Sequence, residues 1–219
     1  MLGILSKSGI IVPYTACAAV TQKEKCGTNM KKKFRISVNA PVVLGFVLLC
    51  LCATVAGVVT NHGLTQMFFS VYRGSLLDPL TYVRLFTHVL GHGGFDHFIG
   101  NAMYLLLMGP MLEEKYGTKV LLKVILFTAA VTGIIHIVLF GSAALCGASG
   151  VVFAFIVLSS FTAFKEGEIP LTFILVVILF IGKEFYNGFT VIDNVSNLTH
   201  ILGGVVGSVA GYKLNRKKK

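Results

Sequence analysis

Charge is scarce in this chain. Only 13% of its 219 residues are Asp, Glu, Lys or Arg, against about 25% in an average soluble domain. Nine acids and a mean hydropathy of +0.81 are too little polarity to clothe a water-facing surface, so composition places the chain among membrane proteins. There is no CxxC pair, and the cysteine count is odd: Cys17, Cys26, Cys50, Cys52 and Cys146. A disulfide framework and a cysteine metal site are excluded, and Cys50 and Cys52, inside an apolar run, read as small packing residues. Internal repeats and a second domain are lacking too. The absence of a repeat counts against a transporter built from duplicated halves.

The few charges that exist are gathered at the ends. Seven of the 19 basic residues lie in the first 35 positions (Lys7, Lys23, Lys25, Lys31, Lys32, Lys33, Arg35), and five close the chain (Lys213, Arg216, Lys217, Lys218, Lys219). Both clusters flank apolar segments, as cytoplasmic ends of membrane spans do. The net charge of +10 therefore signals orientation in a lipid bilayer and not a nucleic-acid partner. Two cytoplasmic termini require an even number of spans.

Residues 1–37 read as a basic cytoplasmic extension. Ile10–Val20 is too short to span, and its Lys cluster follows the apolar run, the reverse of a signal peptide. Met30-Lys31-Lys32-Lys33-Phe34 has the look of a membrane-protein start. Six spans are expected at Val38–Thr60, Asp96–Glu113, Val120–Phe140, Ser149–Phe164, Pro170–Phe185 and Leu198–Leu214. Between the first two, Asn61–Phe95 mixes aromatic residues with Arg73 and Arg84, which suits a partly helical loop at the headgroup level. Residues 215–219 form a basic tail. The expected fold is thus an all-α, six-helix membrane bundle over residues 38–214, with an interfacial loop between helices 1 and 2.

Gly147-Ala148-Ser149-Gly150 is a GxSG, weak alone because small residues are common in membrane helices. Its setting adds meaning. Ser149 begins a helix, so its N–H lies at the positive end of the macrodipole, and a glycine turn leaves that N–H free for an oxyanion. The helix is short: Ser149–Phe164 spans about 24 Å against a hydrocarbon layer of ~30 Å, which recesses the serine below the outer surface. A serine nucleophile needs a base. His200 starts the last span, and Gly203, Gly207 and Gly211 follow on its face. Such a stripe permits backbone-to-backbone packing. If the neighbour is the fourth span, His200 meets Ser149. His97 and Asn101, four apart, enter on one face of the second span and can donate to an oxyanion. The alternatives are structural packing for the GxSG, a bundle hydrogen bond for His200, and helix-to-helix glue for His97 and Asn101.

Tyr82-Val83-Arg84-Leu85-Phe86-Thr87-His88, His92, Asp96-His97, Asn101, Gly109 to Gly117 around Glu113, Gly147-Ala148-Ser149-Gly150, and His200 with Gly203 and Gly207 together resemble the rhomboid protease family over residues 38–214. The resemblance implies intramembrane proteolysis by a Ser149–His200 dyad. It also implies an oxyanion site from His97, Asn101 and the Ser149 N–H, with Gly147 beside it. The chain departs from many members in two places. It has no Trp, showing Val83 before Arg84, and it carries Phe153 where Tyr is common. Phe153, one turn below Ser149, can still pack on the His200 ring.

The remaining polar residues read as structural. His88, His92 and His97 form a histidine cluster without a joining carboxylate or cysteine, so no metal is expected, and no cofactor is implied. Glu113 is expected to accept backbone amides of the next turn, while His62 and His136 read as structural. Asn194-Val195-Ser196 and Asn197-Leu198-Thr199 match glycosylation sequons. The expected partners are the bilayer and transmembrane protein substrates. The expected location is the plasma membrane of a prokaryote, multi-pass, with the active site open to the outer side. Rival readings are a non-catalytic relative that escorts membrane helices, and a small channel or transporter.

Overall fold

Each long apolar run within the described residues forms a helix. The computed structural model describes residues 37–141, 143–163, 168–169, 171, 174–176, 178–179, 182 and 194–216. Seven α-helices are delimited among them: α1 (Pro41–Val59), α2 (Gly63–Phe68), α3 (Pro79–Thr87), α4 (Phe95–Tyr116), α5 (Thr118–Phe140), α6 (Ser149–Ser160) and α7 (Asn194–Arg216). No strand is delimited among the described residues; Val71 and Leu145 form an isolated antiparallel bridge. α1 and α5 are long and apolar enough to cross a membrane, and α6 is a shorter apolar helix.

The ends differ from the sequence expectation in informative ways. α4 continues a turn past Glu113 and stops where Gly117 adopts φ 87°, a conformation that favours glycine. α7 begins at Asn194, four residues before the expected start of the sixth span at Leu198. α6 ends at Ser160 and tightens into a 3-10 turn over Phe161–Ala163. Its α-helical part is about 18 Å long, and the turn adds about 6 Å. Most of the expected fifth span, Pro170–Phe185, lies outside the described residues. Its described positions 171, 174–176, 178–179 and 182 are helical. The expected extension lies outside the description up to residue 36, as do residues 217–219 of the tail.

α6 is the central element. Val151, Ala154, Phe155 and Leu158 have no exposed surface, and α4, α5 and α7 all pack on it. Its far end is tied by two donors from neighbouring helices: Lys115 Nζ donates to the Thr162 carbonyl, and Asn215 Nδ2 to that of Phe161 at 2.8 Å. These side chains satisfy carbonyls that a helix end leaves open.

Glu113 corrects one expectation. Its carboxylate accepts not from the following turn but from α1, taking the Val42 N–H at 3.1 Å and the Val43 N–H at 3.0 Å. Pro41 opens α1, where its missing N–H costs nothing. The buried carboxylate then meets the next two free amides at the positive end of that helix. One residue thereby fixes α1 against α4.

The segment between α1 and α4 is organised around Arg84, 6% exposed. Its Nε donates to the Met67 carbonyl at 2.8 Å, its Nη1 lies 3.5 Å from the Asp78 carboxylate, and its guanidinium sits 4.6 Å over the Tyr72 ring. Asp78 also caps α3 by accepting the Leu80 N–H at 3.0 Å. Val83, at the position of the missing Trp, is exposed. His88 binds this segment to α5: Nδ1 donates to the Arg84 carbonyl at 3.1 Å, and Nε2 lies 3.2 Å from Thr132 Oγ1.

Two outcomes are expected. Glu113→Leu leaves two amides without their acceptor and should lower unfolding stability in detergent by about 2–4 kcal/mol, with Glu113→Gln losing less. Burial, helped by the nearby His136, holds His88 down at about 4, whereas the unfolded chain takes up that proton near 6.5. The unfolded state then binds more protons over that interval, so stability should be flat above about pH 7 and fall as pH drops towards 4. Thermal unfolding at pH 7.5, 6 and 5 measures this, and His88→Gln should flatten the slope.

Candidate active site

The turn before α6 is shaped by Gly147. Its φ is 139°, which an L side chain rarely adopts, and its N–H donates to the His88 carbonyl at 3.0 Å. A Cβ built on Gly147 would lie 3.0 Å from Cε1 and 3.1 Å from Nε2 of His97, and 3.9 Å from Ser149 Oγ. The imidazole edge of His97 and the serine hydroxyl therefore both border the space left open by this glycine. Ser149 is the first residue of α6, and Ala148 at the N-cap has no polar side chain to cap it. The first amides of α6 have no intrahelical acceptor, and the helix dipole favours negative charge beside them.

The loop that carries this turn is anchored along its length. Val71 and Leu145 exchange both backbone hydrogen bonds at 2.9 Å, and the Arg73 N–H donates to the Gly141 carbonyl at 2.7 Å. The Arg73 side chain caps the end of α5, donating to the Ile137 and Val138 carbonyls at 3.0 and 2.7 Å. From the helix side, His136 Nε2 donates to the Ala143 carbonyl at 2.7 Å. None of these contacts has a sequence period or motif that would have announced it.

α7 reaches the site by close approach to α6. A Cβ on Gly203 would overlap the Gly150 carbonyl, one on Gly207 the Ala154 carbonyl, and one on Gly211 the Phe161 ring. The three glycines are four residues apart, one per turn, so they form a continuous groove along α7. His200 stands one turn before Gly203, and its neighbour Thr199 packs on Gly150. The His200 ring stacks on Phe153 with centroids 4.3 Å apart and planes 3° from parallel. His200 is thus held against the first turns of α6, and it lies near enough to His97 for their charges to interact.

Asn101, one turn along α4 from His97, is 8% exposed, and its Nδ2 has no hydrogen-bond partner among the described residues. Such a buried donor carries a desolvation cost of about 1–3 kcal/mol. It has a use if an acceptor arrives with a ligand. Ser149, His97, Asn101, Gly147, Phe153 and His200 therefore come from α4, α6, α7 and the turn before α6. His88 and His92 lie nearby but spend ring nitrogens on the Arg84 and Leu90 carbonyls. Among the described residues no His, Cys, Asp or Glu group is arranged to hold a metal. Asp96 is exposed on α4; Asp193 lies outside the described residues. The described geometry gathers a hydroxyl on the first residue of α6, an imidazole stacked one turn further along that helix, and the side chains of His97 and Asn101 from α4.

A Rhomboid domain model matches residues 79–217. Among curated relatives, the chain is 31% identical over 146 residues to "Rhomboid protease GluP" of Bacillus subtilis (strain 168), covering 65% of this chain and 28% of that protein. It is 29% identical over 168 residues to "Rhomboid-related protein 1" of Caenorhabditis elegans, covering 72% of this chain and 46% of that protein. The chain therefore spans less than half the length of either relative.

Substitution along the α7 groove should separate packing from composition. Gly203→Ala forces a methyl group into the Gly150 backbone and should cost about 1–3 kcal/mol, with loss of any activity that needs His200 in place. Gly204→Ala meets nothing nearer than Val157 Cγ2 at 3.7 Å and should unfold like the wild type. Thermal unfolding of the two variants side by side checks this.

Proposed function

Because the chain belongs to the rhomboid family, whose members are usually intramembrane serine proteases, we propose that it cleaves peptide bonds in or near transmembrane segments of membrane proteins, with Ser149 as nucleophile and His200 as general base. The observation that carries this reading is the seating of α7 on α6. Gly203 over the Gly150 carbonyl, with His200 stacked on Phe153 one turn beyond Ser149, supports an imidazole within reach of the serine.

In this mechanism His200 takes the Ser149 proton as Oγ attacks the scissile carbonyl carbon. The carbonyl oxygen gains the negative charge and is held by His97, Asn101 and the Ser149 N–H. The tetrahedral species collapses, His200 gives its proton to the leaving amine, and an acyl-enzyme on Ser149 remains. Water, with His200 again as base, attacks the ester and frees the serine. Neither metal nor cofactor is needed in these steps. Gly147 contributes by having no side chain: any Cβ there would occupy the space between His97 and the serine hydroxyl.

The setting proposed is a bundle of six membrane helices, with the fifth covering residues 170–185. Both termini lie on the cytoplasmic side of a prokaryotic plasma membrane, and the active site opens to the outer side. The short α6 supports a recessed site: with its 3-10 turn it measures about 24 Å, less than the ~30 Å hydrocarbon layer. A helical substrate must unwind locally, because helix hydrogen bonds occupy its carbonyls. Spans with small residues near the outer end are the favoured substrates.

The decisive comparison is wild type against Ser149→Ala and His200→Ala in detergent, with a model transmembrane substrate and cleavage followed by gel and mass spectrometry. The expected result is cleavage by the wild type and a loss of at least about 10³-fold in both variants. Cleavage by Ser149→Ala at the wild-type rate removes the assignment; an inert wild type favours a helix-binding relative without catalysis.

A further inference from the structure

His97 is the proposed oxyanion donor, yet among the described residues its ring makes no hydrogen bond. It lies on a largely exposed residue of α4. Its orientation rests on what its ring touches, which among the described residues includes the Gly147 turn and His92, with His200 also nearby. The two imidazoles meet edge to face, with centroids 5.0 Å apart and planes at 76°.

His92 is as fixed as His97 is free. It is 1% exposed and stands between α3 and α4. Its Nδ1 lies 3.1 Å from the Leu90 carbonyl, to which it donates, and 3.4 Å from Thr54 Oγ1 of α1. Thr54 is itself turned by donating to the Cys50 carbonyl at 2.8 Å. On another side the His92 ring meets Phe98 edge to face, at 5.6 Å and 85°. With its one proton committed to Leu90, His92 has none to offer at Nε2, which is buried without a partner. Burial, with the neighbouring His97 adding to it, pushes the imidazole down to about 4, so it stays neutral beside His97 at physiological pH. A buried imidazole with an unused nitrogen is costly, and a fixed ring edge for His97 is what that cost secures.

We propose that His92 is a positioning residue for His97: clamped by Leu90, Thr54 and Phe98, its ring sets the plane of the His97 imidazole and aims Nε2 at the carbonyl oxygen of the bound substrate. This inference rests on the reading of His97 as an oxyanion donor. It also couples α1, through Thr54, to the geometry of the active site. Small angular errors in an oxyanion donor are expensive because the stabilisation exists only in the transition state.

The test uses the full chain in detergent with a quenched-fluorescence transmembrane peptide, and separates kcat from KM. His92→Asn keeps a donor near the Leu90 carbonyl but removes the ring edge that meets His97. It should lower kcat about 10- to 100-fold, short of the ~10²–10³ lost with a whole oxyanion donor, and leave KM within about twofold. His92→Phe restores a ring edge and should recover part of that kcat, a rescue that a merely structural hydrogen bond would not give. In a His97→Ala background, the His92→Asn change should cost less than about twofold more, because the residue it positions is gone. Wild-type kcat in His92→Asn, no recovery in His92→Phe, or an equal loss with and without His97 would each overturn the proposal. Failure of the parent reading shows differently: His97→Ala then retains wild-type kcat, or Ser149→Ala still cleaves, and the positioning role falls with it.

Discussion

Gly203 lies over the Gly150 carbonyl so closely that even one methyl group would have no room. That contact governs the site. α6 carries the serine and α7 the histidine, and the two helices meet backbone to backbone along Gly203, Gly207 and Gly211. In lipid, association of helices cannot draw on the hydrophobic effect, so close van der Waals packing of small residues has to supply it. Here the same packing that joins the helices fixes their register. His200 is carried to the first turns of α6, where Phe153 receives its ring. A slip of one residue in this groove would rotate the imidazole by about 100° away from the serine.

The rest of the structure holds the serine end of α6 from the other side. Arg84 gathers α2, α3 and the loop between them; His88 joins that assembly to α5 and gives its carbonyl to Gly147. The Val71–Leu145 bridge and Arg73, which donates to the Gly141 carbonyl and caps the end of α5, tie described residues of the turn before α6 to the segment between α2 and α3. Glu113 fixes α1 to α4 at the opposite end of α4 from His97. The turn that carries Gly147 is therefore backed by several elements, a condition for holding oxyanion donors at fixed geometry.

Much of this was legible in the amino-acid sequence, and the physical reason is clear for each part. Apolar runs revealed the helices because a membrane tolerates no open backbone. The stripe at Gly203, Gly207 and Gly211 foretold a close helix neighbour, because four-residue spacing keeps one face. Phe153 was expected against His200 from its place one turn below Ser149. Less visible were contacts that join distant segments through backbone atoms. Nothing in the residues around Glu113 says that its carboxylate serves Val42 and Val43 of α1, and the Val71–Leu145 pairing has no alternating pattern behind it. The end of α6 at Ser160 was missed because Phe161–Ala163 holds no charge, glycine or proline to mark a stop. The His92–His97 edge contact was foreshadowed only as a cluster of histidines, whose division of labour depends on which nitrogen finds which carbonyl.

The central claim is that the serine, the imidazole and the oxyanion donors converge on one point. A crystal structure of the protein treated with a small fluorophosphonate measures this most directly. The account predicts phosphorus bonded to Ser149 Oγ, the phosphoryl oxygen within about 3 Å of His97 Nε2, Asn101 Nδ2 and the Ser149 N–H, and the His200 ring beside the modified oxygen. Phosphorus on another residue, or a phosphoryl oxygen turned away from His97 and Asn101 towards lipid, would contradict it.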